Sequence, residues 1–261
     1  MPNSHLLPEI FDHIADLLHD QPETLERCCL VSKSWVPRTR KHLFAQIIFQ
    51  TEEHLRLWKE MFPDPSTSPA HYTKILSVCC LQAVVAADAG PGGWIRGFSR
   101  VVRLAFIIDS SFSLVPFHGI SPDVKTLHVV IEVPALPSSQ IINLILSFPL
   151  LEDLAVHVTT PHGVSTDNDD SPDRLMTAVQ PSSSPVCSGF LELFMKGGLE
   201  PVTRSLLSLP LGIHFRRLVL AWYHEADLLA TMALVEGCSH TLESLKIYDF
   251  SRTSVQHARP H

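Results

Sequence analysis

A short apolar phrase returns along much of this chain and limits what it can fold into: an apolar residue, two others, Leu, any residue, apolar. It is poor at Thr73-x-x-Leu76-x-Val78 and clear at Val101-x-x-Leu104-x-Phe106, Val124-x-x-Leu127-x-Val129 and Leu151-x-x-Leu154-x-Val156. It is cleanest at Phe215-x-x-Leu218-x-Leu220 and Leu242-x-x-Leu245-x-Ile247. The first four central leucines step by 28, 23 and 27 residues, and Leu218 and Leu245 stand 27 apart. The gap from Leu154 to Leu218 is 64 residues, room for one further copy and an insertion. That copy is centred on either Leu191-x-Leu193 or Leu193-x-Met195. Periods of this size around such a strand phrase are the signature of leucine-rich repeats. One such strand cannot bury its apolar side alone, so neighbours stack into a parallel sheet with helices behind.

The intervening segments agree with that expectation. Residues 140–148, 201–209 and 225–238 carry helical periodicity. Ile141, Leu144, Ile145 and Phe148 form one predicted dry face, and Leu228, Leu229, Met232 and Val235 another. The repeats lack the Asn or Cys that usually ends the strand phrase, so the predicted solenoid is irregular. An ordinary α/β sheet with evenly spaced strands is the alternative.

Residues 6–44 have a different rhythm. Pro8 fits the first turn of a helix, where a missing N–H costs nothing. Ile10, Ile14 and Leu17 recur at helical spacing, widened by Phe11 and Leu18. Pro22 opens a second helix over 23–29, and Ser32 or Ser34 is placed to cap a third carrying Trp35, Val36 and Leu43. A unit of about 40 residues is marginal alone and needs a partner or a neighbouring domain. A strand at 44–49 and a helix at 51–62 follow, with Leu55, Trp58 and Phe62 on the dry side. The chain thus divides into a helical module at 1–45 and a repeat-like α/β domain at 46–261.

The phrase Leu7-Pro8-x-Ile10, the helix behind it, and Leu30-Val31-Ser32-Lys33-x-Trp35 resemble an F-box, with Ser32 where many members carry Cys. Residues 28–44 and 214–248 look especially like the F-box proteins expanded in mushroom-forming fungi. The resemblance implies a small all-α F-box-like module followed by a leucine-rich-repeat-like α/β solenoid. It also implies a role as substrate receptor of an SCF-type ubiquitin ligase. Leu7, Pro8, Ile10, Ile14, Leu30, Val31 and Trp35 would then dock on a Skp-type adaptor and, through it, a cullin. A repeat scaffold that binds partners without serving a ligase is the alternative, and the compartment expected is cytoplasm or nucleus.

Composition narrows the rest. An apolar content of 45% with 18% charged residues belongs to an ordinary globular chain. A net charge of −7 gives no basic footprint for nucleic acid. The six cysteines, Cys28-Cys29, Cys79-Cys80, Cys187 and Cys238, do not match C-x-x-C spacing and read as buried thiols of a reducing compartment. The longest apolar stretch, 141–158, is broken by Pro149, Glu152 and Asp153, so no membrane span is expected. Fifteen histidines are scattered without metal-site spacing, and no G-x-S-x-G elbow is present. No cofactor, no metal and no enzymatic chemistry are expected. The loop at 86–97 matches no phosphate-binding fingerprint. Residues 159–189, rich in Ser, Pro and Asp, read as a solvated insertion with one short helix at 173–179. No polar cap is visible after Tyr248, which predicts an exposed sheet edge and a missing C-terminal cap.

If the repeats stack, alternate strand residues face away from the core. The candidate target-binding set on that concave face is Arg103, His128, Asp153, His157, Glu192, Phe194, Arg217, Lys246 and Tyr248. His128 and His157 are expected on the same side of adjacent strands. The mixed charge and aromatic anchors suit a protein segment better than a polyanion.

Overall fold

A computed structural model describes residues 8–79, 93–108, 114, 117–118, 120–132, 138–159, 187–196, 199–225 and 227–250. Leu7, most of the 86–97 loop, residues 160–186 of the insertion, on which the helix expected at 173–179 falls, and the chain after Phe250 lie outside the described residues. Within them an eight-stranded sheet runs in strict chain order, every neighbouring pair parallel. Its strands are β1 (Gln46–Phe49), β2 (Ile75–Val78), β3 (Arg103–Ile108), β4 (Thr126–Ile131), β5 (Asp153–Val158), β6 (Phe190–Met195), β7 (Arg217–Trp222) and β8 (Ser244–Asp249). The α-helices are α1 (Pro8–Leu17), α2 (Pro22–Val31), α3 (Val36–Leu43), α4 (Glu52–Met61), α5 (Ser138–Leu146), α6 (Glu200–Leu207) and α7 (Asp227–Gly237).

The repeat phrase sets the register. Leu76, Leu104, Leu127, Leu154, Leu191, Leu218 and Leu245 stand side by side across the sheet. Leu191-x-Leu193 is therefore the sixth strand's core. Because Leu191 lies 27 residues before Leu218, the whole insertion falls between β5 and β6. The strand expected at 44–49 is itself a member of the array, since Ile47 pairs with Leu76.

The sheet's sequential parallel order follows from a backbone device that side-chain patterns do not display. At every step but β5 to β6, where Glu152 O takes only the Gly189 amide, the carbonyl just before a strand accepts two amides from the start of the next. Lys74 O takes Val102 and Arg103 N–H, Val102 O takes Lys125 and Thr126 N–H, and Lys125 O takes Glu152 and Asp153 N–H. Arg216 O takes Glu243 and Ser244 N–H in the same way. Each repeat thereby satisfies the polar groups at the next repeat's strand start, where they would otherwise be orphaned.

One side of the sheet forms the core. Leu104, Phe106, Ile108, Leu127, Val129, Leu154, Val156, Leu191, Leu193, Leu218 and Leu220 are fully buried with Ile141, Leu144, Ile145 and Phe148 of α5 and its exit. At the first repeat the filling is aromatic. Phe49 meets Trp58, Trp94 and Phe98 edge-on at 5.3–6.2 Å, and Phe44 meets Trp58 and Phe62 at 6.0 and 6.1 Å. Edge-to-face packing of this kind adds to the area the rings bury. Thr51 caps α4 by accepting the His54 amide at 3.3 Å.

Three local expectations are corrected. The helix following Ser32 and Ser34 begins at Val36 with Trp35 as its cap and no side-chain cap bond. The two serine hydroxyls pair with each other at 3.0 Å instead. The second helix runs to Val31, beyond its expected end. On α7 the buried face is Asp227, Ala230, Thr231 and Leu234, while Leu229 is 75% and Met232 59% exposed. That helix is apolar nearly all round, so its periodicity does not select a face. Asp227 selects it. Its buried carboxylate accepts the amides of Leu199 at 2.9 Å, Tyr223 at 3.3 Å and His224 at 3.2 Å, which fixes the rotation of α7 against α6 and β7.

Candidate functional site

Two surfaces concentrate the residues singled out by sequence. The first is the N-terminal helical group, which has its own internal fastening. Asp16 on α1 accepts Arg38 Nε at 2.7 Å and a second bond from Arg38 Nη2, and pairs with His42 Nε2 at 2.7 Å. These bonds from α3 hold the Asp16 carboxyl far below the usual carboxylate range. Phe11 and Trp35 pack with ring centroids 5.0 Å apart, Cys29 Sγ lies 2.8 Å from Thr39 Oγ1, and Ala15 and Leu25 are buried.

After that packing the module still has apolar surface to spare. Ile10 is 41%, Leu30 87% and Val31 74% exposed. Ile14 and Trp35 are half-buried, Trp35 through Phe11. Pro8 is the first residue of α1. Phe44, by contrast, turns into the first repeat's aromatic cluster and Ile47 is buried beside it.

The second surface is the face of the sheet opposite the leucine core. Strand alternation puts Arg103, His128, Asp153, His157, Glu192, Phe194, Arg217, Lys246 and Tyr248 there. Five of them gather. His128 and His157 ring centroids are 5.1 Å apart, His157 and Phe194 5.0 Å, and Phe194 and Tyr248 5.6 Å. Glu192 Oε1 lies 3.2 Å from His157 Nε2, an ion-pair distance without hydrogen-bond geometry. Small residues make these approaches possible. Ala155 pairs with both His128 and Glu192, and Ala221 pairs with both Phe194 and Tyr248, so the Phe194 and Tyr248 rings on alternate strands meet over a methyl group.

The other members of the set do different work. Asp153 Oδ1 accepts the Phe190 amide at 2.7 Å, which pins the start of β6 where the chain returns from the insertion. Arg217 lies over the Phe190 ring with Cζ 5.7 Å from its centroid. Arg103 and Lys246 stay exposed.

Two aromatic residues escaped the sequence expectation. Tyr223 and Phe250 stack at 5.2 Å, and Phe250 continues to Tyr248 at 6.2 Å. Lys196 Nζ stands 5.9 Å over the Tyr223 ring. All three sit one further alternation step beyond the strand phrase, five residues after the central leucine. Extending the period by that step would have found them. The rings then form an unbroken series from β4 to β8, about 19 Å across at ordinary strand spacing.

Burial, and secondarily the neighbouring His157, lowers the proton affinity of His128, opposed by Glu192. Burial pushes the Cys187 thiol up to about 12, so it is an inert core thiol rather than a nucleophile. Among the described residues no three His, Cys, Asp or Glu side chains gather as a metal-binding group. No helix among them is long and apolar enough to cross a membrane. No protein-family model, no curated protein and no solved structure matches the chain.

Proposed function

We propose that this chain is the substrate-receptor subunit of an SCF-type ubiquitin ligase, working in the cytoplasm or nucleus. Its N-terminal helices bind a Skp-type adaptor, and through it a cullin, using Leu7, Pro8, Ile10, Ile14, Leu30, Val31 and Trp35. The ring-bearing face of the sheet holds the target protein. The mechanism is positional: a target lysine is kept near the ubiquitin-charged partner enzyme, and the raised effective concentration replaces any chemistry by this chain.

The observation that carries the ligase role is the exposure of Leu30 and Val31 at 87% and 74% at the end of α2, in a module where Asp16 already fastens α1 to α3 and Cys29 holds α2 against Thr39 of α3. Adjacent apolar side chains left this open on a fastened module are what a docking partner covers. The test is co-purification with a Skp-type adaptor. The wild-type chain is expected to capture it, and Leu30→Asp with Val31→Asp to lose capture while the circular dichroism spectrum and melting temperature hold. Capture unaffected by the double substitution would sink the adaptor assignment.

A repeat scaffold without a ligase role is the second reading, favoured by the ring series on the sheet, which needs no adaptor to bind a partner. A wild-type chain that ignores the adaptor yet holds a specific partner selects it.

A further inference from the structure

The cluster on the ring-bearing face contains polar atoms whose needs the fold does not meet. His128 Nε2 and His157 Nε2 are buried and have no hydrogen-bond partner. Glu192, with its side chain 25% exposed, has one polar contact among the described residues, the 3.2 Å approach to His157 Nε2. Buried polar atoms are almost always bonded, and leaving them unpaired carries a cost. Two such atoms beside an under-coordinated carboxylate are a set of unfilled positions that share one preference.

The chemistry narrows the occupant. An anion would meet the Glu192 carboxylate and is excluded. An apolar group would leave both imidazole nitrogens as they are. A cationic donor group bonds the carboxylate and, with the neutral imidazoles in their Nδ1–H tautomer, the Nε2 lone pairs. The Phe194 and Tyr248 rings beside it, 5.6 Å apart, favour a cation a second time. A planar guanidinium fits better than a point-like ammonium, because it presents several donors at once and stacks on rings.

The protein's own cations do not fill the position. Lys246 lies in the same row as Glu192 but on β8, with Val219 of β7 between them, and Arg217 lies over Phe190. Arg103 sits on β3, beyond His128. We propose that Glu192, His128 and His157, flanked by Phe194 and Tyr248, form a subsite for an arginine side chain of a bound protein segment. This deepens the assignment of the face as target-binding and rests on that part of the proposed function alone.

A pH dependence follows from the geometry. The charged and titratable groups facing the cluster are Arg103 on β3, Glu132 just after β4, Asp153 on β5, Glu192 on β6 with Lys196 just after it over the Tyr223 ring, Arg217 on β7, and Lys246 and Tyr248 on β8. Asp153 is already engaged by the Phe190 amide. Protonating His128 adds positive charge where the guanidinium would sit, and burial keeps that ring neutral into the acid side of the ordinary imidazole range, so arginine binding weakens only on acidification below it.

The experiment uses the full chain without any adaptor and labelled Gly-Ser peptides bearing arginines, glutamates or leucines at the same positions. The arginine peptide is expected to bind most tightly by fluorescence anisotropy. Its affinity should fall by about tenfold or more in Glu192→Gln, the loss of one charge-assisted bond. It should also fall on acidification below the ordinary imidazole range, and hold in Arg204→Gln, an exposed cation on α6 outside the target-binding set. Equal or tighter binding of the glutamate or leucine peptide overturns the proposal. So does arginine binding indifferent to Glu192→Gln, an equal loss in Arg204→Gln, or no binding by any peptide. Glu192→Gln preserves size at a partly exposed position, and an unchanged melting temperature separates lost binding from lost fold. Because no adaptor is present, failure of adaptor capture with arginine binding intact sinks the ligase role alone.

Discussion

Strands β4 and β8 carry the same phrase in opposite environments. Leu127 and Val129 of β4 are fully buried, whereas Leu245 and Ile247 of β8 are 40% and 43% exposed. Both strands pair on the β7 or β3 side with the same register rule. The difference is that β4 also has β5 on its far side and α5 nearby, while β8 has no further strand among the described residues. An inner position in a stacked array is thus buried by its neighbours rather than by its own repeat, which is why such arrays gain stability repeat by repeat. Leu229 and Met232, exposed on α7, the helix that leads into β8 and packs on β7 and α6, obey the same logic.

The comparison is open to direct attack. The largest effect expected is from Leu127→Ala, at about 3–5 kcal/mol, because it leaves a cavity among close-packed neighbours. Leu245→Ala, the same substitution at the same register position, should cost under about 1 kcal/mol at its exposed site. Urea unfolding of the two variants measures the contrast, and equal losses would break it.

Asp227→Ala should cost about 2–4 kcal/mol, since it strands three amides at a buried turn, and Asp227→Asn should recover part of that. Here the last helix would lose the group that chooses its buried face, so increased protease sensitivity confined to 199–250 would accompany the lower melting temperature.

Gly189→Ala is expected to cost about 1–3 kcal/mol. A Cβ there would stand 2.2 Å from Asp153 Oδ1, so the carboxylate that holds the Phe190 amide must move. Thermal melts of Gly189→Ala and of Asp153→Ala should show losses that do not add, because both substitutions remove the same bond.

At the other end of the molecule the smallest effect is a pH window. The folded state holds Asp16 well below its ordinary range through Arg38 and then His42. The pairing therefore stabilises the helical module at any pH above the unfolded carboxylate's value and is lost as pH falls through the folded one. Amide exchange in α1 should accelerate below about pH 4, and Asp16→Asn should show the faster exchange at neutral pH without that acid step.

Much of the fold was legible because repetition is a local signal. Each Leu-x-apolar phrase marks a strand and each intervening amphipathic run a helix, so Ile141, Leu144, Ile145 and Phe148 were placed in the core from their spacing alone. Where the signal was degenerate it failed for a definable reason. The apolar girth of α7 offered no face to choose, and Ser32 and Ser34 could bond each other as readily as a helix terminus. Leu191 and Leu193 could each have led the sixth strand until pairing with Leu154 settled it. Of the candidate site, alternation along the strands named His128, His157, Glu192, Phe194 and Tyr248, but stopped one step short of Tyr223 and Phe250.

By itself, then, the sequence determined that there would be a parallel array, which side of each strand would be dry, and that the helices at 8–43 hold more apolar surface than they can bury. Periodicity encodes these because they depend on neighbours a few residues away. Only the tertiary structure decided that His157 meets both His128 and Phe194, that the Phe194 and Tyr248 rings meet over Ala221, and that Asp227 orients the last helix. Those depend on which strand lies beside which and at what register. The backbone bonds between repeats fix that choice, and they leave no trace in side-chain pattern.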